Sequence, residues 1–144
     1  MPIEVKLVGS ETDVAKVSSV LLQLRTGYDE PALCARIDEQ RARGYQLAYV
    51  EIDGRVLCVA GFVIGTKLAW GRHLYVDDLV TVESRRGSGA GAHLVAWLKE
   101  YARANGCRQI HLDSGVTNFA AHRFYLRQGF DIASHHFVIK ELAG

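Results

Sequence analysis

The run Gly87-Ser88-Gly89-Ala90-Gly91 constrains this chain more than any other stretch. It follows an apolar, β-type segment, Leu74 to Val82. It precedes Leu94, Val95, Leu98, Tyr101 and Ala102, which recur with a helical period. A strand must therefore turn into a helix where three alternate residues lack a Cβ. Backbone of this kind can approach a ligand closely. Its N–H groups, with the unsatisfied donors of the first helical turn, form a socket for a phosphate or pyrophosphate. Arg85 and Arg86 stand at the lip of that socket.

The remaining sequence sets the frame for this unit. A chain of 144 residues suits one domain, 1–144, with one core. A net charge of +1 supplies no field that would draw the protein to nucleic acid or an anionic membrane. The apolar runs fall well short of the roughly 20 residues of a membrane span. The start, Met1-Pro2-Ile3-Glu4, lacks the basic and apolar regions of a secretory leader. Cys34, Cys58 and Cys107 are odd in number and widely spaced, which predicts reduced thiols in a cytoplasmic protein. None of the six histidines has metal-ligand spacing, so no metal is expected.

Alternation over Ile3 to Val8 predicts a strand. Ser10 or Thr12 caps a helix with the stripe Val14, Val17, Leu21 and Leu24. Asp29-Glu30-Pro31 opens a second helix, which runs to about Arg43 and stops at Gly44. Tyr45 to Ile52 and Arg55 to Trp70 read as a hairpin joined by Asp53-Gly54, and a turn at Gly71-Arg72 leads into Leu74 to Val82. After the glycine-opened helix come a short strand, Gln109 to Asp113, a helix capped by Thr117 or Asn118 and ending at Gly129, and an extended segment, Phe130 to Leu142. The expected order is β-α-α-β-β-β-α-β-α-β, an α/β fold with a mixed sheet, antiparallel early and parallel around the glycine loop.

The glycine loop admits several readings. Gly87, Gly89 and Ala92 fit the G-x-G-x-x-A spacing of a dinucleotide fingerprint, with Asp113 placed 21 residues later as a ribose-binding acid. Only 31 residues follow Asp113, too few for the second half of a dinucleotide fold. A Walker loop fails because no Lys-Ser or Lys-Thr follows the glycines. A ligand-free turn would need one glycine, since each sacrifices conformational freedom on folding.

Arg86-x-x-Gly89-x-Gly91 resembles the acetyl-coenzyme A signature of the GCN5-related N-acetyltransferases, the GNAT superfamily. Asn118-x-x-Ala121-x-x-Phe124-Tyr125-x-x-x-Gly129-Phe130 resembles the second signature of that family, and Asp78-Leu79-Val80 resembles its central strand. The likeness covers about residues 74 to 131. Glu83-Ser84 stands where the family often has proline, and Ala90 where it often has a bulkier aliphatic residue.

The resemblance implies an acetyl-CoA-dependent N-acetyltransferase acting on a primary amine of a small molecule or peptide, and a homodimer as the family-level expectation. A module that holds acetyl-CoA without turnover is the alternative. The pantetheine arm would bond to the backbone of Leu79, Val80 and Thr81. The pyrophosphate would lie on Arg86 and the amides of Gly87, Ser88, Gly89, Ala90, Gly91 and Ala92, and Asn118 would meet the pantetheine region. A lysine-like amine of pKa about 10.4 is only about 0.04% deprotonated at pH 7, a deficit of roughly 4.6 kcal/mol, so a base or a water path is useful. Asp78 and Asp113 are the candidates, with Asp77 beside them. Adjacent strand residues face opposite ways, so Asp77 and Asp78 cannot both line one cleft unless a bulge intervenes. Tyr125 would donate to the leaving thiolate. Full proton transfer from a phenol of pKa about 10 to a thiolate of pKa about 8.5 is uphill by about 2 kcal/mol, so Tyr125 has a lowered pKa or mainly gives a hydrogen bond. The N–H near Val80 is a candidate oxyanion donor. In the family the loop holding Tyr28, Asp29 and Glu30 often closes over the acceptor, and two acids there would suit a cationic amine. His135-His136 is a weaker candidate for approaching the acceptor pocket.

Overall fold

Apolar strands of alternating pattern need partners on both edges and cover on both faces, and the central strands of this chain obtain both. A computed structural model describes residues 3–82 and 87–143. The expectation for Arg86 therefore falls outside the described residues. The chain forms two compact units, residues 1–112 and 113–144.

In the first unit a five-stranded sheet has the order β1 (Glu4–Leu7), β2 (Gln46–Ile52), β3 (Arg55–Lys67), β4 (Gly71–Thr81) and β5 (Gln109–Leu112). Strands β1 to β4 are antiparallel neighbours and β5 runs parallel to β4. Helices α1 (Glu11–Leu21) and α2 (Glu30–Arg41) cover one face, where Val14, Val17, Leu21, Leu33 and Ile37 pack on Leu47, Tyr49, Val59 and Val80. Helix α3 (Ala90–Ala104) covers the other, where Leu94, Leu98 and Ala102 meet Ala48, Val50, Phe62, Leu74 and Val76. With a single parallel pair, the sheet is not the doubly wound parallel sheet of a dinucleotide-binding fold.

Turn chemistry places the joints. Ser10 and Asp29 accept from the Asp13 and Ala32 amides and cap α1 and α2, with Pro31 in the first turn of α2. Gly44, at φ +104°, ends the turn after α2, and the Tyr45 N–H closes on the Gln40 carbonyl.

Along β4 the side-chain alternation reverses. Leu74 and Val76 face α3, but Val80, an even number of residues on, faces α1 and α2. Two residues per repeat would keep all three on one face. The reversal comes from a β-bulge: Gly61 of β3 pairs with Asp78 and Phe62 with Val76, so Asp77 is the extra residue. The bulge that would free Asp77 and Asp78 from strict alternation is thus present.

Four sequence expectations shift. Leu24 lies beyond the end of α1 and is exposed, because the helix closes at Leu21. The β3–β4 turn is Leu68 to Trp70 rather than Gly71-Arg72, and Gly71 begins β4 with φ +66°. The strand expected over Gln109 to Asp113 closes at Leu112. No strand follows the last helix among the described residues, so the extended segment Phe130 to Leu142 is not the final strand that its composition suggests. β-propensity describes fitness for a pleated, half-buried surface, and Phe137-Val138-Ile139 is a run of consecutive exposed residues without a ladder partner among the described residues.

In the second unit Asn118 caps α4 (Phe119–Arg127), its side chain accepting from the Ala121 N–H at 3.3 Å. Gly129, at φ +97°, ends it with a Schellman motif: Gly129 N–H bonds the Leu126 carbonyl and Phe130 N–H the Tyr125 carbonyl, both at 3.1 Å. The Phe130 ring packs edge-on against Tyr125, 5.9 Å between centroids. The spacing Tyr125-x-x-x-Gly129-Phe130 is therefore a helix stop that also fixes the Tyr125 ring.

Gly61 is a packing glycine: a Cβ there would overlap the phenol oxygen and ring of Tyr45. Gly61→Ala is expected to cost about 1–3 kcal/mol of stability in urea unfolding, as overpacked sites do. Gly65→Ala, whose Cβ would come no nearer than 3.6 Å to the His73 ring, should stay within about 1 kcal/mol of the parent.

Candidate active site

Each of α1, α2 and α4 begins at a residue whose side chain caps it, whereas α3 begins at Gly89, which has none to offer. Gly87 and Gly89 hold φ values of +83° and +89°, conformations in which a β-carbon is strained, and nothing lies within 4 Å of where a Cβ would stand on either. Ser88 makes only a long contact, 3.4 Å, with the Ala90 N–H. The first turn of this fifteen-residue helix thus begins without a side-chain cap, with the helix dipole behind it.

The strand leading to this turn has an open edge. β5 pairs with β4 only over His73 to Val76, and Asp77 to Thr81 pair with β3 alone. On the β5 side, Leu79, Val80 and Thr81 have no ladder partner among the described residues, so backbone donors and acceptors there can bond an extended ligand arm. An amide socket at the end of an open strand edge fits a ligand with a pyrophosphate and a long amide-bearing arm, which is the form of coenzyme A.

On the α1–α2 face the bulge delivers Asp78 into a network. Its Oδ2 accepts from the Tyr45 hydroxyl at 2.6 Å, and its Oδ1 accepts from Arg25 Nε at 2.8 Å and Nη2 at 2.7 Å. Arg25 Nη2 also donates to the Asp77 carbonyl at 3.0 Å. Burial and the neighbouring Asp78 charge push the Tyr45 hydroxyl far above its usual pKa, so it stays a proton donor in this bond. Both Asp78 oxygens are engaged, a restraint on any role as proton acceptor. The Asp77 carboxyl, on the bulge, is pushed above the usual carboxylate value by partial desolvation and by Asp78, against the pull of Arg25.

A cleft of about 80 Å³ opens beside this network, lined in part by Arg25, Tyr28, Arg36, Gln40, Tyr45 and Asp78. The acids expected at its mouth are occupied. Asp29 caps α2, and Glu30 accepts from the buried Ser18 hydroxyl at 3.1 Å. Cys58 is buried, takes a hydrogen bond from the Thr81 hydroxyl, and has its thiol pushed up to about 11 by burial, so it is no nucleophile at neutral pH.

In the second unit Asp113 pairs with His136 at 3.2 Å, both exposed. Asn118 spends its side-chain oxygen on the α4 cap, and Tyr125 is half-buried between Phe124 and Phe130. His122 contacts the Gly115 carbonyl at 2.6 Å and steadies the turn before the cap. Sequence reasoning missed Tyr45, Arg25 and Gly61. Their partner Asp78 lies 33 and 53 residues from Tyr45 and Arg25, and no local pattern marks such a pairing.

An uncapped glycine turn and an open strand edge suit a pyrophosphate ligand with an extended arm. The model of the acetyltransferase (GNAT) family matches residues 19–130, and the chain belongs to that family. An uncharacterized N-acetyltransferase of Bacillus subtilis, YhdJ, is 28% identical over 137 residues, covering 94% of this chain and 96% of that protein. The aminoalkylphosphonate N-acetyltransferase of Salmonella typhimurium is 38% identical over 55 residues, 38% of this chain and 36% of that protein. The fold matches that of aminoglycoside N-acetyltransferase AAC(6')-Iy in complex with CoA, with a TM-score of 0.86 at 16% identity over 99% of this chain and 96% of that one. The protein is thus an acyltransferase, an acetyl-CoA-dependent N-acetyltransferase. Among the described residues no helix is long and apolar enough to cross a membrane.

Gly89→Val is expected to weaken CoA binding at least tenfold by calorimetry, because it strains the turn and crowds the amides. Tyr45→Phe should cost about 1.5–3 kcal/mol in urea unfolding by leaving a largely buried carboxylate oxygen without its donor.

Proposed function

We propose that the two units together make one acetyltransferase domain, with the donor on the β4 edge and the acceptor amine in the cleft beside Asp78. The observation that carries this reading is the open edge of Leu79, Val80 and Thr81 running into the uncapped start of α3. The family match at 19–130 spans the junction of the units, which supports treating them as one domain.

In this reading the backbone of Leu79, Val80 and Thr81 holds the pantetheine arm. The amides of Gly87 to Ala92, with Arg86, hold the pyrophosphate, and Asn118 meets the pantetheine region. Once neutral, the acceptor nitrogen forms a bond to the acyl carbon, the carbon–sulfur bond breaks, and the second proton that the nitrogen sheds as the amide forms passes to the departing thiolate. Tyr125 donates a hydrogen bond to that sulfur. The acceptor ammonium gives up its proton, directly or through water, to the carboxylates at the bulge, Asp77 and Asp78, with Asp113 the rival acid. The acceptors named for relatives include an aminoalkylphosphonate, which supports a primary amine as the reacting group. We place the protein in the cytoplasm, because its three cysteines are unpaired, and expect a homodimer from the family resemblance. Sedimentation of the purified protein tests the dimer.

Turnover is read as thiol release from acetyl-CoA across a panel of amines. Tyr125→Phe is expected to lower kcat by about 10²-fold or more, in the range of a lost general acid, with CoA affinity changed less than threefold. Equal turnover would remove Tyr125 from the chemistry. A base at Asp77 must be unprotonated to work, and its pKa is raised. At saturating amine, kcat should therefore fall as pH drops through a value above the ordinary aspartate range. Asp77→Asn should abolish that acid limb and Asp113→Asn should leave it. The reverse outcome would assign the base to Asp113.

A further inference from the structure

We infer that the acceptor is a small primary amine that also carries an anionic group, a carboxylate or phosphonate, seated by Arg25 and Arg36. The inference rests on the cleft being the acceptor site, and it adds the class of molecule that the cleft selects.

Charge in the cleft is one-sided. Its lining holds two guanidinium groups and one carboxylate; Arg25 and Asp78 pair with each other, which leaves Arg36 as the excess charge of the lining. The two acids of the α1–α2 loop are committed to the α2 cap and to Ser18. A polycation entering here would meet a lining whose net charge is positive by one guanidinium, Arg36. Like charges brought together in a confined site cost several kcal/mol.

An anion would find donors at the same place. Arg25 is held rigidly through Nε and Nη2 by Asp78 and the Asp77 carbonyl, and its Nη1 has no protein partner among the described residues. Among the described residues Arg36 pairs with Glu39 alone, through Nε at 3.6 Å, in a pair more than half exposed on both sides. Such a surface pair is worth little and yields readily to a ligand. Guanidinium forks match the oxygen spacing of carboxylates and phosphonates. The Gln40 amide and Tyr28 hydroxyl line the same cleft as further polar groups. Leu21, Leu33 and Ile37 give it an apolar wall suited to a short methylene linker. At about 80 Å³ the space is below the roughly 300–1,000 Å³ that encloses a drug-sized molecule, which suits a small acceptor.

The test compares amines of matched size: β-alanine and 2-aminoethylphosphonate against n-propylamine and 1,3-diaminopropane, with thiol release from acetyl-CoA as the readout. The anion-bearing amines should exceed propylamine in kcat/KM by at least tenfold. Arg36→Gln should shrink that ratio at least tenfold through KM rather than kcat, and Arg36→Lys should restore part of it. Equal or greater kcat/KM for propylamine or diaminopropane overturns the inference while leaving the acetyltransferase reading of the cleft intact. If none of the four amines is acetylated, the anion seat is judged by titrating methylphosphonate into the CoA-bound protein. Saturable binding that Arg36→Gln weakens at least tenfold supports the seat and places the failure in the acceptor reading. Absence of binding overturns the inference.

Discussion

The extra residue at Asp77 is the constraint on which the rest of the site depends. A strand that kept its alternation through position 77 would send Val76, Asp78 and Val80 to one face of the sheet. The bulge turns the strand over. Leu74 and Val76 stay in the layer under α3, while Asp78 and Val80 emerge on the layer under α1 and α2. A carboxylate is thereby delivered to the edge of an otherwise apolar layer, where burial without partners would be costly. Tyr45 and Arg25 supply those partners, and Gly61 makes room for the tyrosine ring that reaches across β3.

The same distortion bears on the donor side. β4 begins as an interior strand, paired on both edges from His73 to Val76, and continues with one edge open. Pairing with β5 ceases where the bulge begins. The open backbone runs toward the glycine turn, where α3 begins without a side-chain cap. Unsatisfied main-chain groups at both places are tolerable because water or a ligand can reach them. The glycines of the turn are costly to order. Among the four helices of the described residues they stand at the one without a side-chain cap.

Much of this was legible in the residues. The helix caps at Ser10, Asp29 and Asn118, the stop at Gly129, the Asp53-Gly54 hairpin and the stripe of α3 are local patterns, and local hydrogen bonds enforce them. The glycine turn was legible for the same reason. The final segment was not, because Phe130 to Leu142 has the composition of a strand, and composition says nothing about whether a ladder partner is at hand. The acids of the α1–α2 loop suggested a cationic acceptor by their charge alone. Their hydrogen bonds to the Ala32 amide and Ser18 tie them to the helices, and neither lines the cleft beside Asp78.

By itself, the sequence determined the local frame of the donor side, a strand, a glycine turn and an amphipathic helix in succession, and its resemblance to the family, with a second signature ending at Gly129-Phe130, pointed to coenzyme A, because contiguous residues carry both patterns. Only the tertiary structure assembled the cleft beside Asp78. Arg25, Tyr45, Gly61 and Asp78 come from α1's trailing loop, the start of β2, the middle of β3 and the bulge of β4. They meet because the sheet turns one of its strands over at a single residue. Contacts made across dozens of residues through a register shift leave no periodic trace in the chain that makes them.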